Sequence, residues 1–293
     1  MIIVVNILQG GFRNGVTLTN VILHYYVFNL YIIIKLFIRE TKLEKLEKLR
    51  KNLVVRIVRF LFSLFFLLLI AVSIRSFLFE PFHIPSGSMK STLLEGDYIF
   101  TSKYSYGYSK YSFPFSPNIF GGRIFYTPPK RGDVIVFKPI RNDSISFVKR
   151  VIGIPGDKVQ VIEGELYLND QKVERKQIES FFDYESSHNI PRYIEILPSG
   201  KEHEILVDNV SNKLSYDTPI YYVPNNRFFV MGDNRNNSLD SRFPEVGFVP
   251  MENIIGRVSM VGLSFKLGKV DWLPFNFRIP IALRLDRILH KVA

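Results

Sequence analysis

One apolar run in the first third of the chain most constrains how it can fold. Between Arg59 and Arg75 lies FLFSLFFLLLIAVSI, fifteen residues without a charge. A helix rises about 1.5 Å per residue, so this run alone is too short for a hydrocarbon core about 30 Å thick. With the apolar residues on both sides added, and the two arginines reaching toward the interfaces, it becomes long enough. The sequence therefore predicts a transmembrane helix over residues 54–79.

The flanks of this segment predict its orientation. Residues 1–60 contain ten Lys or Arg residues and three Glu residues, a large part of the formal charge of +11. The stretch after the segment, EPFHIPSGSM, carries little charge. Because the cytoplasmic flanks of membrane helices are enriched in Lys and Arg, everything after residue 79 is predicted to lie outside the cytoplasm. Positive charge concentrated beside a membrane segment also argues against a nucleic-acid-binding face.

A second apolar segment, residues 16–38, leaves the number of spans open. It is interrupted by His24, Asn29 and Lys35, so a first span and an interfacial segment are both compatible with it. Residues 39–53 then form a basic stretch that is predicted to be cytoplasmic. No small-residue cleavage site follows either apolar run, which disfavours a cleaved targeting peptide.

Beyond residue 80 the pattern changes to short β-like runs, four of which begin or end at a Gly-Asp pair: EGDYIF, RGDVIVF, PGDKVQV and FFVMGDN. Such pairs are typical of turns beside strands. The predicted fold is mainly β: a membrane-anchored extracytoplasmic antiparallel β-domain, preceded by one or two transmembrane helices. We expect a core of residues 80–157 and 227–265. Residues 158–226, which are more polar and irregular, are expected to form a smaller inserted β-subdomain.

The chain contains no cysteine, which excludes disulfides, thiolate metal sites and a cysteine nucleophile. Its five histidines are scattered, and EHEILV around His203 lacks the second histidine of a zinc-protease helix. We therefore expect no metal and no other cofactor. A nucleophile would have to be a hydroxyl, an amine or a carboxylate.

Ser88 is a candidate nucleophile within FHIPSGSMKSTLLEGDYIF. Pro85 stiffens the approach, and Gly87 lets the backbone come close to a ligand. The pattern is neither the Gly-X-Ser-X-Gly turn of an α/β-hydrolase nor the Ser-X-X-Lys of penicillin-binding enzymes. Ser91 and Thr92 are interpreted as turn or cap residues. Because a serine hydroxyl needs a neighbouring base, that base must come from elsewhere in the chain.

Lys149, in SFVKRVIGIPGDKV, is a candidate base. On a strand it alternates with apolar residues, so it has apolar neighbours whichever face is buried. A lysine with a pKa near ~10.4 is a poor base at neutral pH, but desolvation can lower that pKa by several units. On this stretch alone, a lysine at a sheet edge is the commoner interpretation.

A third stretch, MGDNRNNSLDSRFPEVGFVP, is dense in turn-forming and charged residues. Asp233, Arg235, Asp240 and Arg242 could form an ion-pair network that holds a loop, and Ser238 could orient an amine. Taken singly, a solvated turn residue is the commoner interpretation of each.

Four stretches follow the membrane segment in this order: PSGSMKSTLLEGDYI, RGDVIVFK, FVKRVIGIPGDKV and MGDNRNNSLDSR. Together they resemble bacterial type I signal peptidase, a serine-lysine peptidase of family S26. The resemblance implies that Ser88 attacks the scissile carbonyl and that a neutral Lys149 takes its proton. It implies an oxyanion hole formed by Ser86 and the backbone N–H of Ser88, with Ser238 holding Lys149 in place. The charged residues that would support the site are Asp240, Arg242 and Arg150.

The resemblance also implies a substrate and a location. The substrates would be signal peptides of preproteins, cut after small residues of the Ala-X-Ala type, because shallow pockets reject large side chains. The residues that match or neighbour the pocket positions are Phe82, Ile84, Pro85, Met89, Leu93, Phe147 and Val148. The enzyme would lie in the bacterial inner membrane, in contact with the lipid bilayer, with its catalytic domain on the periplasmic side. The aromatic stretch 104–120 and the basic amphipathic residues 266–293 could each rest on lipid or pack on the protein.

Three features depart from the family pattern: Asn236 stands where Asp is usual, Leu239 stands where a small residue is usual, and RFPEVGFVP replaces a shorter aromatic link. Two other functions agree less well with the sequence. A catalytically silent membrane-anchored protein that binds preproteins would not need both Ser88 and Lys149. A self-cleaving serine-lysine repressor would need a DNA-binding domain where membrane segments lie.

Overall fold

The computed structural model describes residues 25–35, 53–118, 120–184, 186–208, 216–269 and 278–292. The second apolar segment is helical over residues 25–35. Its two ends, and all but the last residue of the basic stretch 39–53, lie outside the described residues. The chain divides into two compact units, Met1–Leu68 and Leu69–Ala293.

The predicted membrane segment is helical. Helix α1 spans Leu53–Ser73, and a π-helical turn, Ile74–Leu78, continues it. Residues Arg56–Leu78 are long and apolar enough to cross a membrane, and no other helix in the described ranges is. Its large apolar side chains are exposed, which suits a hydrocarbon environment better than water. The predicted helix is thus confirmed to residue 78, and its membrane location stays a prediction.

The described part of the chain after α1 is built from short strands. All pairings between these strands are antiparallel, so the prediction of a mainly β antiparallel chain is confirmed. The strands are β1 Phe79–His83, β2 Asp97–Ser102, β3 Val134–Phe137, β4 Phe147–Gly153, β5 Lys158–Ile162, β6 Glu165–Leu168, β7 Gln171–Lys172, β8 Glu174–Asp183, β9 His188–Ile196, β10 Glu202–Leu206, β11 Tyr221–Tyr222, β12 Arg227–Met231, β13 Val249–Pro250, β14 Ile254–Lys269 and β15 Arg278–Leu283. Single 3-10 turns lie at Gly87–Met89, Lys110–Ser112, Met251–Asn253 and Leu285–Arg287.

The strands form three sheets. The largest has the order β1-β2-β14-β3-β4-β12-β13, and β15 pairs with β14. The two smaller sheets, β10-β9-β8 and β11-β5-β6-β7, use strands between residues 158 and 222. The sheet β11-β5-β6-β7 shares an apolar cluster with the large sheet, in which Val159 and Leu168 pack with Ile152 and Phe229. The division into a core and an inserted subdomain stays a prediction.

The central strands of the large sheet are covered on both faces. Along β3, Val134 and Val136 enter one apolar cluster, whereas Ile135 and Phe137 enter another. Successive side chains of a strand point to opposite faces, so the uninterrupted VIVF run reflects burial on both sides. A side chain on the neighbouring strand β4 is therefore removed from water whichever face it takes.

Three of the four Gly-Asp pairs form the same turn. Gly96, Gly132 and Gly156 have φ angles between +87° and +89°, a region that favours glycine. In each turn the following aspartate accepts a hydrogen bond from the backbone N–H three residues before it, at 2.9, 2.9 and 2.7 Å. The predicted turns beside strands are thus present at these three positions. The fourth pair begins at Gly232, whose backbone contacts the loop that carries Ser88.

Candidate active site

Ser88 and Lys149 come together although 61 residues separate them in sequence: Lys149 Nζ lies 2.6 Å from Ser88 Oγ. Ser88 belongs to the 3-10 turn between β1 and β2, and Lys149 lies on β4. Because β4 runs between β3 and β12, the alternative of a lysine at a sheet edge is wrong. Lys149 is only 4% exposed, so the contact is made away from water.

Burial makes Lys149 a better base. It lowers the pKa of Lys149 from 10.5 to about 8. The negative charges of Asp240 and Asp233 raise this pKa in part, and the positive charge of Arg242 lowers it a little further. At pH 7, roughly one Lys149 side chain in ten is then neutral, against on the order of one in 3000 for an unperturbed lysine. A neutral amine at 2.6 Å can accept the proton of the Ser88 hydroxyl.

Ser86 reaches the same side of the loop as the nucleophile candidate. Its Oγ lies 3.5 Å from Ser88 Oγ, and its extended backbone leads into the 3-10 turn. Ser86 is exposed and Ser88 is partly buried, so both hydroxyls border space that a substrate can enter. The role of Ser86 as an oxyanion donor stays a prediction.

The hydroxyl of Ser238 is bound to an aspartate, and the role of Ser238 in holding Lys149 stays a prediction. Its hydroxyl donates to Asp240 Oδ2 at 2.8 Å, and no hydrogen bond joins it to Lys149 within the described ranges. It packs beside residues 84–97, the loop that carries Ser88 and that we call the nucleophile loop: a Cβ atom at Gly232 would lie 2.3 Å from Ser238 Oγ and 2.5 Å from the Ser88 carbonyl oxygen. Gly232 is thus required for close approach of these two segments.

Asp240 and Arg242 form a buried pair next to Ser238. Arg242 donates to both carboxylate oxygens of Asp240 at 2.8 Å, and the Gly232 N–H donates to Asp240 Oδ2 at 3.0 Å. Burial raises the pKa of Asp240, but the charge and hydrogen bonds of Arg242 outweigh it and hold the pKa below its usual value. Asp240 therefore stays ionised, and its charge reaches Lys149.

Arg150 binds a partner that sequence reasoning did not assign to it. It donates to both carboxylate oxygens of Asp233, at 2.9 and 2.8 Å, and to the Gly132 carbonyl at 2.8 Å. Thr92 Oγ1 also donates to Asp233, at 2.6 Å. Thr92 is thus more than a turn residue, because it ties the nucleophile loop to the buried Arg150–Asp233 pair. In the sequence, only its place in a Gly-Asp pair, after Gly232, set Asp233 apart.

Further contacts hold the same loop against the smaller sheet β10-β9-β8. Ser91 Oγ donates to Glu204 Oε2 of β10 at 2.7 Å, so Ser91 also does more than form a turn. Lys90 Nζ lies 2.9 Å from Asp183 Oδ1 of β8. Sequence reasoning missed both acidic partners, which are 113 and 93 residues distant from the loop residues they contact and carry no local motif.

The predicted network of four charged residues is divided into separate pairs. Arg235 pairs with the buried Glu195 of β9 and not with the aspartates of its own loop. Its carbonyl accepts a hydrogen bond from Arg242 Nη2 at 2.7 Å, which connects the pairs. Among the departures from the family pattern, Asn236 Oδ1 accepts the Asp208 N–H at 2.8 Å, and Leu239 is exposed.

The residues predicted to line substrate pockets fall into three places. Ile84, Met89 and Leu93 are buried in one apolar cluster, against which Phe82 and Val148 pack. Phe147 packs against a second cluster, with its ring centroid 5.6 Å from Lys149 Nζ. Pro85 is exposed and lines a groove of about 570 Å³ together with Ser86, Gly87 and Asn237.

The structure describes most of the two segments that could contact lipid, residues 104–120 and 266–293. In the aromatic stretch, Tyr106 and Tyr111 are buried in the apolar clusters, whereas Phe115 is fully exposed. Residues 278–292 pack along β14, through β15 and through backbone contacts beyond it. Both segments therefore pack on the protein, and a lipid contact by their exposed side chains stays a prediction.

Comparison with known proteins identifies the family. The sequence profile described as "Signal peptidase, peptidase S26" matches residues 57–263. Signal peptidase I of Rickettsia typhi (strain ATCC VR-144 / Wilmington) is 43% identical over 213 residues, which cover 70% of this chain and 80% of the relative. Signal peptidase I of Rickettsia prowazekii (strain Madrid E) is 42% identical over 217 residues, with 70% and 80% covered.

A crystal structure of a signal peptidase I from Enterococcus faecalis V583 is 26% identical, with a TM-score of 0.29, and covers 45% of this chain and 98% of its own. The profile match extends over more than half of the chain and contains Ser88, Lys149 and Ser238. The relatives are matched over most of their length at more than 40% identity. The chain therefore belongs to the signal peptidase family of serine peptidases, S26.

Proposed function

We propose that this chain is a membrane-anchored endopeptidase that removes signal peptides from preproteins, with Ser88 as nucleophile and neutral Lys149 as general base. Membership in the signal peptidase family supports signal-peptide cleavage by a serine hydrolase. The observation that carries the residue assignment is the 2.6 Å contact between Ser88 Oγ and the buried Lys149 Nζ.

Acylation begins when Ser88 Oγ attacks the scissile carbonyl carbon and its proton passes to Lys149 Nζ. The carbonyl oxygen becomes an oxyanion, which accepts hydrogen bonds from the Ser86 hydroxyl and the Ser88 backbone N–H. The intermediate then collapses, the carbon–nitrogen bond breaks, and the Lys149 ammonium gives its proton to the leaving amine of the mature protein. The signal peptide remains bound to Ser88 as an ester.

Deacylation uses the same two groups in the reverse order. Lys149, neutral again, takes a proton from water, and the resulting hydroxide attacks the ester carbonyl. The ester bond breaks, Ser88 Oγ recovers the proton from Lys149, and the signal peptide leaves as a carboxylic acid, which releases its proton to solvent. A lysine with a pKa of about 8 can both accept and release a proton near neutral pH, as both half-reactions require.

The surrounding ion pairs set the position and charge of the base. Asp240, with Arg242, and Asp233, with Arg150, are both buried as pairs. We assign them the role of holding the two loops around Ser88 and Lys149 in one arrangement. Ser238 would act through Asp240 and through its packing on Gly232, as a positioning residue.

Specificity for small residues before the cut follows from the apolar wall beside Ser88. Ile84, Met89 and Leu93 are at most 3% exposed and pack together in one apolar cluster, so they leave little room among themselves for a substrate side chain. A large side chain would require these packed residues to move, which costs binding energy. We therefore propose substrates of the Ala-X-Ala type.

Residues 54–79 would anchor the protein in the bacterial inner membrane, with the β-domain on the periplasmic side. The apolar length of Arg56–Leu78 and the basic flank before it support this orientation. Residues 158–226, which supply all strands of the two smaller sheets, would form the inserted subdomain. Its contacts with the nucleophile loop through Asp183 and Glu204 would couple it to the site.

Cleavage of a purified preprotein in detergent by wild type, Ser88→Ala and Lys149→Ala tests the assignment. Wild type should release the signal peptide, and both variants should lose cleavage by at least ~1000-fold, because neither residue functions alone. Lys158→Ala is the matched control, since Lys158 is a partly exposed lysine paired with Asp170 outside the site. Wild-type cleavage by either Ser88→Ala or Lys149→Ala would refute the dyad.

A further inference from the structure

The loop that carries Ser88 is closed at its base by backbone hydrogen bonds. The Ile84 N–H donates to the Asp97 carbonyl at 2.8 Å, and the Gly96 N–H donates to the Ile84 carbonyl at 3.0 Å. Within the loop, the Leu93 N–H donates to the Met89 carbonyl at 2.8 Å. The nucleophile loop, residues 84–97, therefore forms a compact unit whose geometry depends on the contacts that hold its base.

Asp97 lies at that base and is completely buried. Its carboxylate accepts hydrogen bonds from Ser264 Oγ at 2.6 Å and from the Leu94 N–H at 2.9 Å. Its charge is balanced by two arginines from the end of the chain. Arg287 Nη2 lies 2.7 Å from Asp97 Oδ2, and Arg284 Nη1 lies 3.7 Å from Asp97 Oδ1.

The same two guanidinium groups also bind the backbone of the nucleophile loop. Arg287 Nη2 donates to the Thr92 carbonyl at 2.9 Å, and Arg284 Nη1 donates to the Glu95 carbonyl at 3.1 Å. Each arginine thus bridges a buried carboxylate and a loop carbonyl. Thr92 is held from two directions, because its hydroxyl is bound to Asp233 while its carbonyl is bound to Arg287.

The segment that supplies these arginines is fixed against β14. The Arg284 N–H donates to the Ser264 carbonyl at 2.8 Å, the Val261 N–H donates to the His290 carbonyl at 2.8 Å, and the Val292 N–H donates to the Ser259 carbonyl at 3.2 Å. The segment lies beyond the family match, which ends at residue 263. Its backbone hydrogen bonds to β14, at Arg284 and at His290 and Val292, hold the segment from which the two guanidinium groups contact the loop.

We propose that Arg284 and Arg287 are positioning residues for catalysis, which set the place of Ser88 relative to Lys149 by holding the base of the nucleophile loop. This proposal rests on the proposed function. Its physical basis is that the arginines bind loop carbonyls as well as a charge, so their loss releases the loop from one side while the Asp233 contact remains on the other. A shift of the nucleophile by about 1 Å can cost on the order of 100-fold in rate.

The test compares Arg287→Ala, Arg287→Lys and Arg175→Ala with wild type, as full chains in detergent. Arg175 is a matched control, because it also bridges a carboxylate, of Glu165 at 2.7 Å, and a carbonyl, of Gly164 at 3.2 Å. Arg287→Ala should lower kcat for preprotein cleavage by roughly 100-fold with KM within about twofold. Arg287→Lys should fall between, because an ammonium keeps the charge but not the planar fork. Arg175→Ala should keep the wild-type kcat.

Hydrogen exchange gives a readout that does not depend on cleavage. The amides of Leu93 and Asn234, which bond to the carbonyls of Met89 and Ser88, should exchange faster in Arg287→Ala than in wild type or Arg175→Ala. Unchanged exchange at these amides would overturn the proposal, whether or not the protein cleaves preproteins. A wild-type kcat in Arg287→Ala, or an equal loss in Arg175→Ala, would overturn it as well. Failure of wild type to cleave would refute the proposed function instead.

Discussion

Replacing Lys149 by methionine should stabilise the folded protein while it abolishes cleavage. Methionine has a similar length and no charge, so it fills the buried position without the cost of desolvating an ammonium. In the wild type that cost is the reason why the pKa of Lys149 falls from 10.5 to about 8. Each unit by which folding lowers this pKa corresponds to about 1.4 kcal/mol, so the buried Lys149 ammonium lowers the stability of the folded state by about 3 kcal/mol at neutral pH.

The sign and the pH range of the effect follow from proton uptake. Above pH 10.5 Lys149 is neutral in both states and the cost is absent. As the pH falls from 10.5 toward 8, the unfolded chain binds a proton that the folded protein does not, so the stability of the wild type decreases. Below about pH 8 both states are protonated and the cost is constant. Lys149→Met should therefore gain most below pH 8 and lose this advantage as the pH rises to 10.5.

Thermal unfolding followed by circular dichroism, in detergent from pH 7 to 10.5, measures this difference. For a β-domain of this size, 3 kcal/mol corresponds to roughly 6–12 °C in Tm at pH 7. Lys90→Met is the matched control, because Lys90 is also buried but lies 2.9 Å from Asp183. Its removal should lower Tm by taking that partner away from the partly buried Asp183 carboxylate.

The result that would refute this reasoning is a Lys149→Met protein that melts at or below the wild-type temperature at pH 7. A Tm advantage that stays constant up to pH 10.5 would also refute it, since the gain would then come from packing. Either outcome would mean that Lys149 does not carry the desolvation cost on which its role as a neutral base depends.

Two further substitutions test the groups around the nucleophile. Ser86→Ala should lower kcat by about 100- to 1000-fold with little change in KM, because an oxyanion donor acts in the transition state; a wild-type kcat would exclude Ser86 from that role. Gly232→Ala places a Cβ atom 2.3 Å from Ser238 Oγ and 2.5 Å from the Ser88 carbonyl, so both kcat and Tm should fall. Gly121→Ala is the control, because a Cβ atom there would meet nothing within 4 Å, and it should change neither kcat nor Tm. Equal losses of kcat and Tm in Gly232→Ala and Gly121→Ala would contradict the close-approach argument.

The sequence was informative wherever the signal was local. The uncharged run predicted a helix that the structure has over Leu53–Ser73 and the π-helical turn after it. The Gly-Asp pairs predicted turns, three of which have the same positive φ. Alternation along β4 correctly placed Lys149 among apolar neighbours, but it could not separate a central strand from an edge strand, because strand order depends on pairing between distant segments.

The contacts between distant residues that hold the site could not be predicted from local sequence. Arg150 binds Asp233 across 83 residues, and Arg287 binds Asp97 across 190, and nothing in either local sequence identifies the partner. Ser238 had a role implied by resemblance, yet its hydroxyl is bound to Asp240 only two residues away. Ion-pair partners depend on where buried charges meet after the sheets have packed, so they follow from the fold and not from spacing in the sequence.

The pH dependence of kcat/KM for preprotein cleavage by the wild-type protein tests the central claim most directly. If neutral Lys149 is the base, the rate should rise about tenfold per pH unit below its pKa and level off above it, with a midpoint near pH 8. A profile that is flat from pH 5 to 9, the range over which Lys149 would lose its proton, would contradict the assignment of Lys149 as the base.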